Sequence, residues 1–195
     1  MKKIILVISL FVGLFAMDIK KIYYESYNYE KMGDYKDAIK VLIPLYNKYL
    51  NAYTVNLRLG WLFYLNKNYK NSIFHYQKAS MSIPSSLEAK LGMMRVYYAM
   101  GDYSNALKIG DVILKSDYYN YYGNYYEVLS LVALKNYKVA EILVNRMLSI
   151  YPTSVLFLVE LGKIYELTKR DAGKIFKNVL ILDPNNVVAK EYFNK

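Results

Sequence analysis

The chain has 195 residues, of which 55% are hydrophobic and 22% charged, which excludes a disordered protein and allows one domain or a short repeat array. It contains no Cys, which excludes disulfides, thiolate metal sites, a Cys nucleophile and an amino-terminal lipoprotein anchor. The formal net charge is +10, but the Lys and Arg residues are scattered rather than clustered, so we predict no nucleic-acid binding.

Residues 1–17 are typical of a secretory signal peptide. Lys2 and Lys3 precede an apolar stretch over residues 4–15, and Ala16 is a suitable last residue before cleavage. We therefore predict a periplasmic or secreted protein. The alternative is an uncleaved segment that anchors the chain in the inner membrane. Residues 4–17 would span about 21 Å as a helix, less than the ~30 Å hydrocarbon core, which favours cleavage.

A fixed period of 34 residues organises the rest of the chain. Tyr35, Tyr69, Tyr103 and Tyr137 lie 34 residues apart, each within a similar short polar segment. Such a period indicates a repeat array. The blocks are residues 19–52, 53–86, 87–120 and 121–154, followed by a slightly compressed fifth block, residues 155–186.

Each block carries two apolar runs at helical spacing, joined by a polar turn. Gly33 and Gly101 suit a left-handed helix end, and Asp34 and Asp102 can cap the next helix. No alternating strand pattern is present. We predict an all-α chain of antiparallel helix pairs, closed by a capping helix within residues 187–195.

The pattern resembles that of the tetratricopeptide repeat (TPR) family over residues 18–186. Counted from the start of each block, the family has small residues at positions 8 and 20, an aromatic at 11 and a large residue at 24. Met94 and Val128 at position 8, and Gly110 at position 24, depart from it. The resemblance rests on Ser26, Gly60 and Gly162 at position 8, Tyr29, Phe63, Tyr97 and Tyr165 at 11, and Ala38, Ser72, Ala106 and Ala140 at 20. It implies a right-handed α-solenoid of about five stacked helix-turn-helix repeats.

The resemblance also implies that the first helix of each pair lines a concave groove that binds a segment of a partner protein. Tyr, Trp and Arg, which are enriched at binding hot spots, occupy many of the implied groove positions. The alternative is that several of these aromatics pack between repeats. The candidate partner-binding residues are Tyr23, Tyr24, Tyr27, Arg58, Trp61, Tyr64, Arg95, Tyr98, Tyr122, Tyr125 and Tyr126.

Some family members grip a peptide carboxylate with Lys, Asn and Arg side chains in the groove. Those places hold Tyr23, Tyr27, Arg58, Glu88 and Gly92 here, so that clamp is absent. Arg58 and Arg95 remain candidates for binding a carboxylate or an acidic segment.

Residues 118–126 contain six tyrosines, which can stack on sugar rings and so favour an alternative function as a peptidoglycan-binding module. Packing between repeats explains them equally well.

The one His, His75, lies within a predicted helix and is expected to be structural. We find no catalytic, metal or cofactor motif and predict a non-enzymatic scaffold whose partner is an envelope protein. The protein would contact a membrane only if its amino-terminal segment stays uncleaved, and it would then be an anchored assembly factor.

Overall fold

The computed structural model describes residues 18–194, so the predicted signal peptide over residues 1–17 lies outside the described residues. The described residues contain no strand, which confirms the all-α prediction. Their helices are α1 (Ile19–Lys31), α2 (Tyr35–Lys40), α3 (Ile43–Lys48), α4 (Tyr53–Leu65), α5 (Tyr69–Ser82), α6 (Leu87–Ala99), α7 (Tyr103–Ser116), α8 (Tyr121–Ala133), α9 (Tyr137–Ile150), α10 (Val155–Leu167), α11 (Gly173–Leu182) and α12 (Val187–Phe193).

The helices stack as antiparallel pairs into a solenoid. The helices α1, α4, α6, α8 and α10, called the first helices below, form one layer, in which α4, α6, α8 and α10 contact one another in order. The second helix of each pair packs against its own first helix and against that of the next pair. Helix α12 covers α11, where the ring of Tyr192 lies 4.9 Å from that of Phe176. The predicted solenoid with a terminal capping helix is therefore confirmed.

One residue in the left-handed region ends the first helix of every pair. The sequence predicts this conformation at Gly33 and Gly101, and the structure shows φ of 77° at both. The three other turns place a lysine there instead, at Lys67, Lys135 and Lys169, with φ of 57°, 62° and 59°. The chain therefore uses one turn geometry throughout, which keeps successive pairs in the same register.

The second helix of the first pair is broken, although the sequence predicts one amphipathic run there. Helix α2 ends at Lys40 and α3 begins at Ile43. Pro44 has no N–H to donate to the carbonyl of Lys40, and its ring crowds that carbonyl. The backbone tightens instead, so that the N–H of Leu42 donates to the carbonyl of Ile39 at 2.9 Å.

Where the two helices of a pair approach each other, a large residue on one helix packs against a small residue on the other. In the last pair Gly162 faces Phe176, and a Cβ on that glycine would lie 2.5 Å from the phenylalanine Cζ. In the third pair the sizes are reversed, because a Cβ on Gly110 would lie 2.8 Å from Cε of the fully buried Met94. Val128, the other departure from the family pattern, is also fully buried.

In two of the first helices, α4 and α8, a buried asparagine bonds to the connection from the preceding helix pair. The side-chain amide of Asn56 donates to the carbonyls of Leu50 and Ala52, at 2.9 and 2.8 Å. Asn124 makes the same two bonds in α8. Both side chains are fully buried, so they hold α4 and α8 in place from the inside.

No helix within residues 18–194 is long and apolar enough to cross a membrane.

Candidate functional site

The layer of first helices contains a cleft of about 620 Å³ between α1, α4 and α6. Its walls combine aromatic rings with two arginines and two glutamates. This volume falls in the range of pockets that bind ligands. The cleft is lined by Tyr23, Tyr27, Glu30, Thr54, Leu57, Arg58, Trp61, Tyr76, Glu88, Leu91, Gly92 and Arg95.

Arg58 is buried, and its terminal nitrogens bind other residues of the protein. Only 7% of its surface is exposed, and Nη1 forms an ion pair with the carboxylate of Glu30. Nη2 donates to Oγ of Ser26 at 3.2 Å, and the guanidinium lies 3.7 Å from the ring centroid of Tyr27. The indole N–H of Trp61 donates to the other oxygen of Glu30 at 2.6 Å. The charge of Arg58 is therefore neutralised, and the residue stabilises the contact between α1 and α4.

Arg95 lies in the same cleft without an acidic partner among the described residues. Its Nε donates to Oη of Tyr126 at 3.0 Å. The guanidinium carbon lies 5.0 Å from the ring centroid of Trp61, 5.8 Å from that of Tyr126 and 5.9 Å from that of Tyr64. The aromatic rings hold this side chain by cation–π attraction while its charge stays uncompensated.

Tyr76 contributes to the cleft from a second helix, α5. It reaches the cleft because Gly60 on α4 and Gly92 on α6 have no side chains, and its ring lies close against both. Burial raises the pKa of the Tyr76 hydroxyl, so it stays protonated. The sequence prediction missed this residue because it considered only first helices. Gly60 and Gly92 were the signal in the sequence that could have indicated it, because two glycines leave room for a large side chain from another helix.

Two buried polar atoms of cleft residues have no hydrogen-bond partner among the described residues. They are Oη of Tyr23 and Nε of Arg58. A buried polar group without a partner costs about 1–3 kcal/mol, so such groups are few in folded proteins. Both atoms belong to residues of α1 and α4 and are shielded from solvent, so they are part of the packing between these helices.

Aromatic contacts continue from the cleft along α6 and α8. The rings of Tyr98 and Tyr126 lie 6.0 Å apart, and those of Tyr125 and Tyr126 lie 5.8 Å apart. Burial, with the nearby Glu160 carboxylate, raises the pKa of Tyr125 to about 12, and burial also raises the pKa values of Tyr64 and Tyr98. These three hydroxyls are therefore neutral at physiological pH and available as hydrogen-bond donors.

The structure separates the predicted partner-binding residues into three groups. Tyr23, Tyr27, Arg58, Trp61 and Arg95 line the cleft. Tyr64, Tyr98, Tyr125 and Tyr126 form the adjoining aromatic cluster, although Tyr125 also packs on Phe157. Tyr24 and Tyr122 lie outside the cleft, and they are 67% and 52% exposed.

The six tyrosines of residues 118–126 do not form one surface. Tyr121 packs against Phe157 and bonds to Ser154, at 2.6 Å between the two hydroxyl oxygens. Tyr118, Tyr119 and Tyr122 are about half exposed. Arg146 covers the ring of Tyr118 at 4.1 Å. Packing between repeats therefore accounts for part of this segment, and three rings remain on the surface.

His75 is buried, as expected for a structural residue. Its Nδ1 lies 3.0 Å from Oδ1 of Asn56, and its ring stacks on that of Phe63 with centroids 5.3 Å apart. Burial, aided by the charge of Lys78, lowers its pKa to about 4. Within residues 18–194 no group of three or more His, Asp or Glu side chains could hold a metal ion.

No protein-family model and no curated protein matches the sequence. Solved structures match its fold. MamA from Desulfovibrio magneticus superposes with a TM-score of 0.74 at 14% identity, covering 86% of this chain and 96% of that one. A TPR protein from Parabacteroides merdae gives 0.76 at 18% identity, covering 88% and 69%. YrrB, a TPR protein with an unusual peptide-binding site, gives 0.68 at 11% identity, covering 89% and 91%. The chain therefore has the TPR fold that its repeat pattern implies.

Proposed function

We propose that the protein is a non-enzymatic scaffold that binds an extended segment of a partner protein in the cleft between α1, α4 and α6. The observation that carries the proposal is the composition of the cleft. Aromatic rings, aliphatic side chains and arginine surround an open volume of about 620 Å³. Tyr, Trp and Arg dominate protein-binding hot spots because they bury large areas and also donate hydrogen bonds.

An extended peptide suits this cleft better than a small apolar ligand does. The two terminal nitrogens of Arg95 are donors without a partner among the described residues, and a peptide presents a regular series of carbonyl acceptors. Trp61 and Leu57 provide apolar surface beside them. The similar fold of YrrB, which has a peptide-binding site, supports the same class of function.

We place this scaffold in the bacterial cell envelope, with an envelope protein as its partner. The support is the signal-peptide pattern of residues 1–17. The alternative is an assembly factor anchored in the inner membrane by the same residues. The intact mass of the protein purified from its native host distinguishes them, since cleavage after Ala16 removes the first sixteen residues.

Site-specific photo-crosslinking tests the cleft as the binding site. We would introduce benzoylphenylalanine in place of Tyr27, which lines the cleft and is 49% exposed. The matched control is the same replacement of Tyr24, which is more exposed and lies on the same helix outside the cleft. We expect an adduct with one defined partner only from position 27. Equal adducts from both positions, or none from position 27, would refute the proposal.

A second candidate function is peptidoglycan binding through Tyr118, Tyr119 and Tyr122, whose exposed rings favour it. Co-sedimentation with purified peptidoglycan tests it. The double variant Tyr119→Ala/Tyr122→Ala should reduce the fraction of protein that sediments with peptidoglycan. Substitution of Tyr27, the crosslinking position, should leave that fraction unchanged. The absence of wild-type protein from the pellet at low salt would exclude this function.

A further inference from the structure

We propose that Arg95 binds a carboxylate of the partner segment, either an Asp or Glu side chain or a free carboxyl terminus. This inference rests on the proposed function, because it names the chemistry that the cleft recognises. The sequence presents Arg58 and Arg95 as equivalent candidates for such a contact. The structure assigns it to Arg95 alone.

The two arginines differ in their internal partners. The charge of Arg58 is balanced by Glu30, and both of its terminal nitrogens donate within the protein. Arg95 donates only through Nε, to Tyr126. Its two terminal nitrogens have no hydrogen-bond partner among the described residues, and they are not buried. The side of the guanidinium that can grip a carboxylate with two parallel bonds is therefore free.

The surroundings of Arg95 favour an anion over a neutral group. Glu88, the other acidic residue of the cleft besides Glu30, forms no ion pair with Arg95 and accepts a bond from Oη of Tyr53 at 3.1 Å. The rings of Trp61 and Tyr126 displace water around the guanidinium, which strengthens its attraction for a carboxylate. They also fix its position, so little side-chain freedom is lost on binding.

A peptide library displayed with free carboxyl termini tests this assignment. It would be selected against the wild-type protein, Arg95→Glu and Lys138→Glu. Lys138 is exposed and lies on α9, away from the cleft, so its substitution makes the same change in net charge. We expect Asp and Glu to be enriched by the wild type and by Lys138→Glu, and to be depleted by Arg95→Glu. Circular dichroism checks folding, and Arg95→Gln replaces Arg95→Glu if that variant does not fold.

Synthetic versions of one selected peptide identify the source of the carboxylate. Changing its acidic residues to amides, or amidating its carboxyl terminus, should weaken binding by about 10- to 100-fold in one of the two cases. If peptides bind and block crosslinking from position 27 but show no acidic preference, the assignment to Arg95 fails and the proposed function stands. If no peptide is selected by the wild type, both fail.

Discussion

The ring of Tyr76 occupies the space into which a side chain on Gly92 would project. A Cβ on Gly92 would lie 2.7 Å from Cδ1 of Tyr76 and closer still to Cε1. Residue 76 lies on the second helix of one pair, and residue 92 on the first helix of the next. Through this contact a residue of a second helix reaches the cleft, so the shape of the cleft depends on the absence of a side chain at Gly92.

The variant Gly92→Ala is expected to lose about 1–2 kcal/mol of unfolding free energy. Overpacking against Tyr76 costs more than the roughly 1 kcal/mol that alanine gains over glycine in a helix. Urea unfolding provides the measurement. In a Tyr76→Leu background the same substitution should cost less, and an equal cost in both backgrounds would show that the two residues are not coupled.

The reversed sizes of Met94 and Gly110 predict strong coupling between these two positions. Met94→Ala should lose about 2–4 kcal/mol, because the side chain is fully buried and leaves a cavity. Gly110→Leu alone should lose about 1–3 kcal/mol by overpacking. The double variant restores a small residue opposite a large one, so its loss of unfolding free energy should be well below the sum of the two single losses. Strict additivity in thermal or urea unfolding would contradict the packing described here.

The left-handed turns predict opposite effects for two matched substitutions. Gly101→Ala should lose about 1 kcal/mol, because a Cβ is unfavourable at φ of 77° although nothing lies within 4 Å of it. Lys135→Gly should gain a few tenths of a kcal/mol up to about 1 kcal/mol, since φ is 62° there. Differential scanning calorimetry of both variants gives the comparison. A loss for Lys135→Gly would mean that its side chain, rather than its backbone, matters.

The ion pair of Arg58 and Glu30 predicts that Glu30→Gln destabilises the fold by about 2–3 kcal/mol, because a buried charge loses its partner. The control is Glu25→Gln on the same helix. Its contact with Lys21 spans 3.9 Å between exposed side chains and should contribute less than about 0.5 kcal/mol. Chemical unfolding of both variants measures the difference, and equal losses would contradict the assignment. Substitutions of Arg58 are, for the same reason, poor tests of partner binding.

His75 predicts a loss of stability on acidification. Its pKa is about 4 in the folded chain and about 6.5 in the unfolded chain, so the unfolded state binds the extra proton between these values. The stabilisation is complete above pH 6.5 and decreases by on the order of 2–3 kcal/mol as the pH falls towards 4. Because the chain has one His, its NMR titration is unambiguous. Unfolding of His75→Gln should show a shallower pH dependence over this window, and an identical dependence would exclude His75 as the cause.

Much of the solenoid could be predicted from the sequence because its signals are local. The Asp34 and Asp102 caps form as expected, with each side chain accepting a backbone N–H three residues ahead. The resemblance to the TPR family implied that the groove lies along the first helices, which is the layer that contains the cleft. The break at Pro44 was also readable in principle, since proline acts on the carbonyl four residues before it. The left-handed conformation of the three turn lysines was not predicted, because lysine itself does not favour it. Only their place in the repeat, equivalent to Gly33 and Gly101, indicates it.

The sequence by itself determined the all-α class, the 34-residue register and the set of aromatic and arginine residues on the first helices. These follow from periodicity and capping, which act over a few residues. Only the tertiary structure decided that Tyr76 reaches the cleft, that Tyr24 and Tyr122 lie outside it, and that Arg58 is neutralised while Arg95 is not. The partner of Arg58 lies one helix pair away along the chain, and the availability of a charge depends on which side chains packing brings beside it.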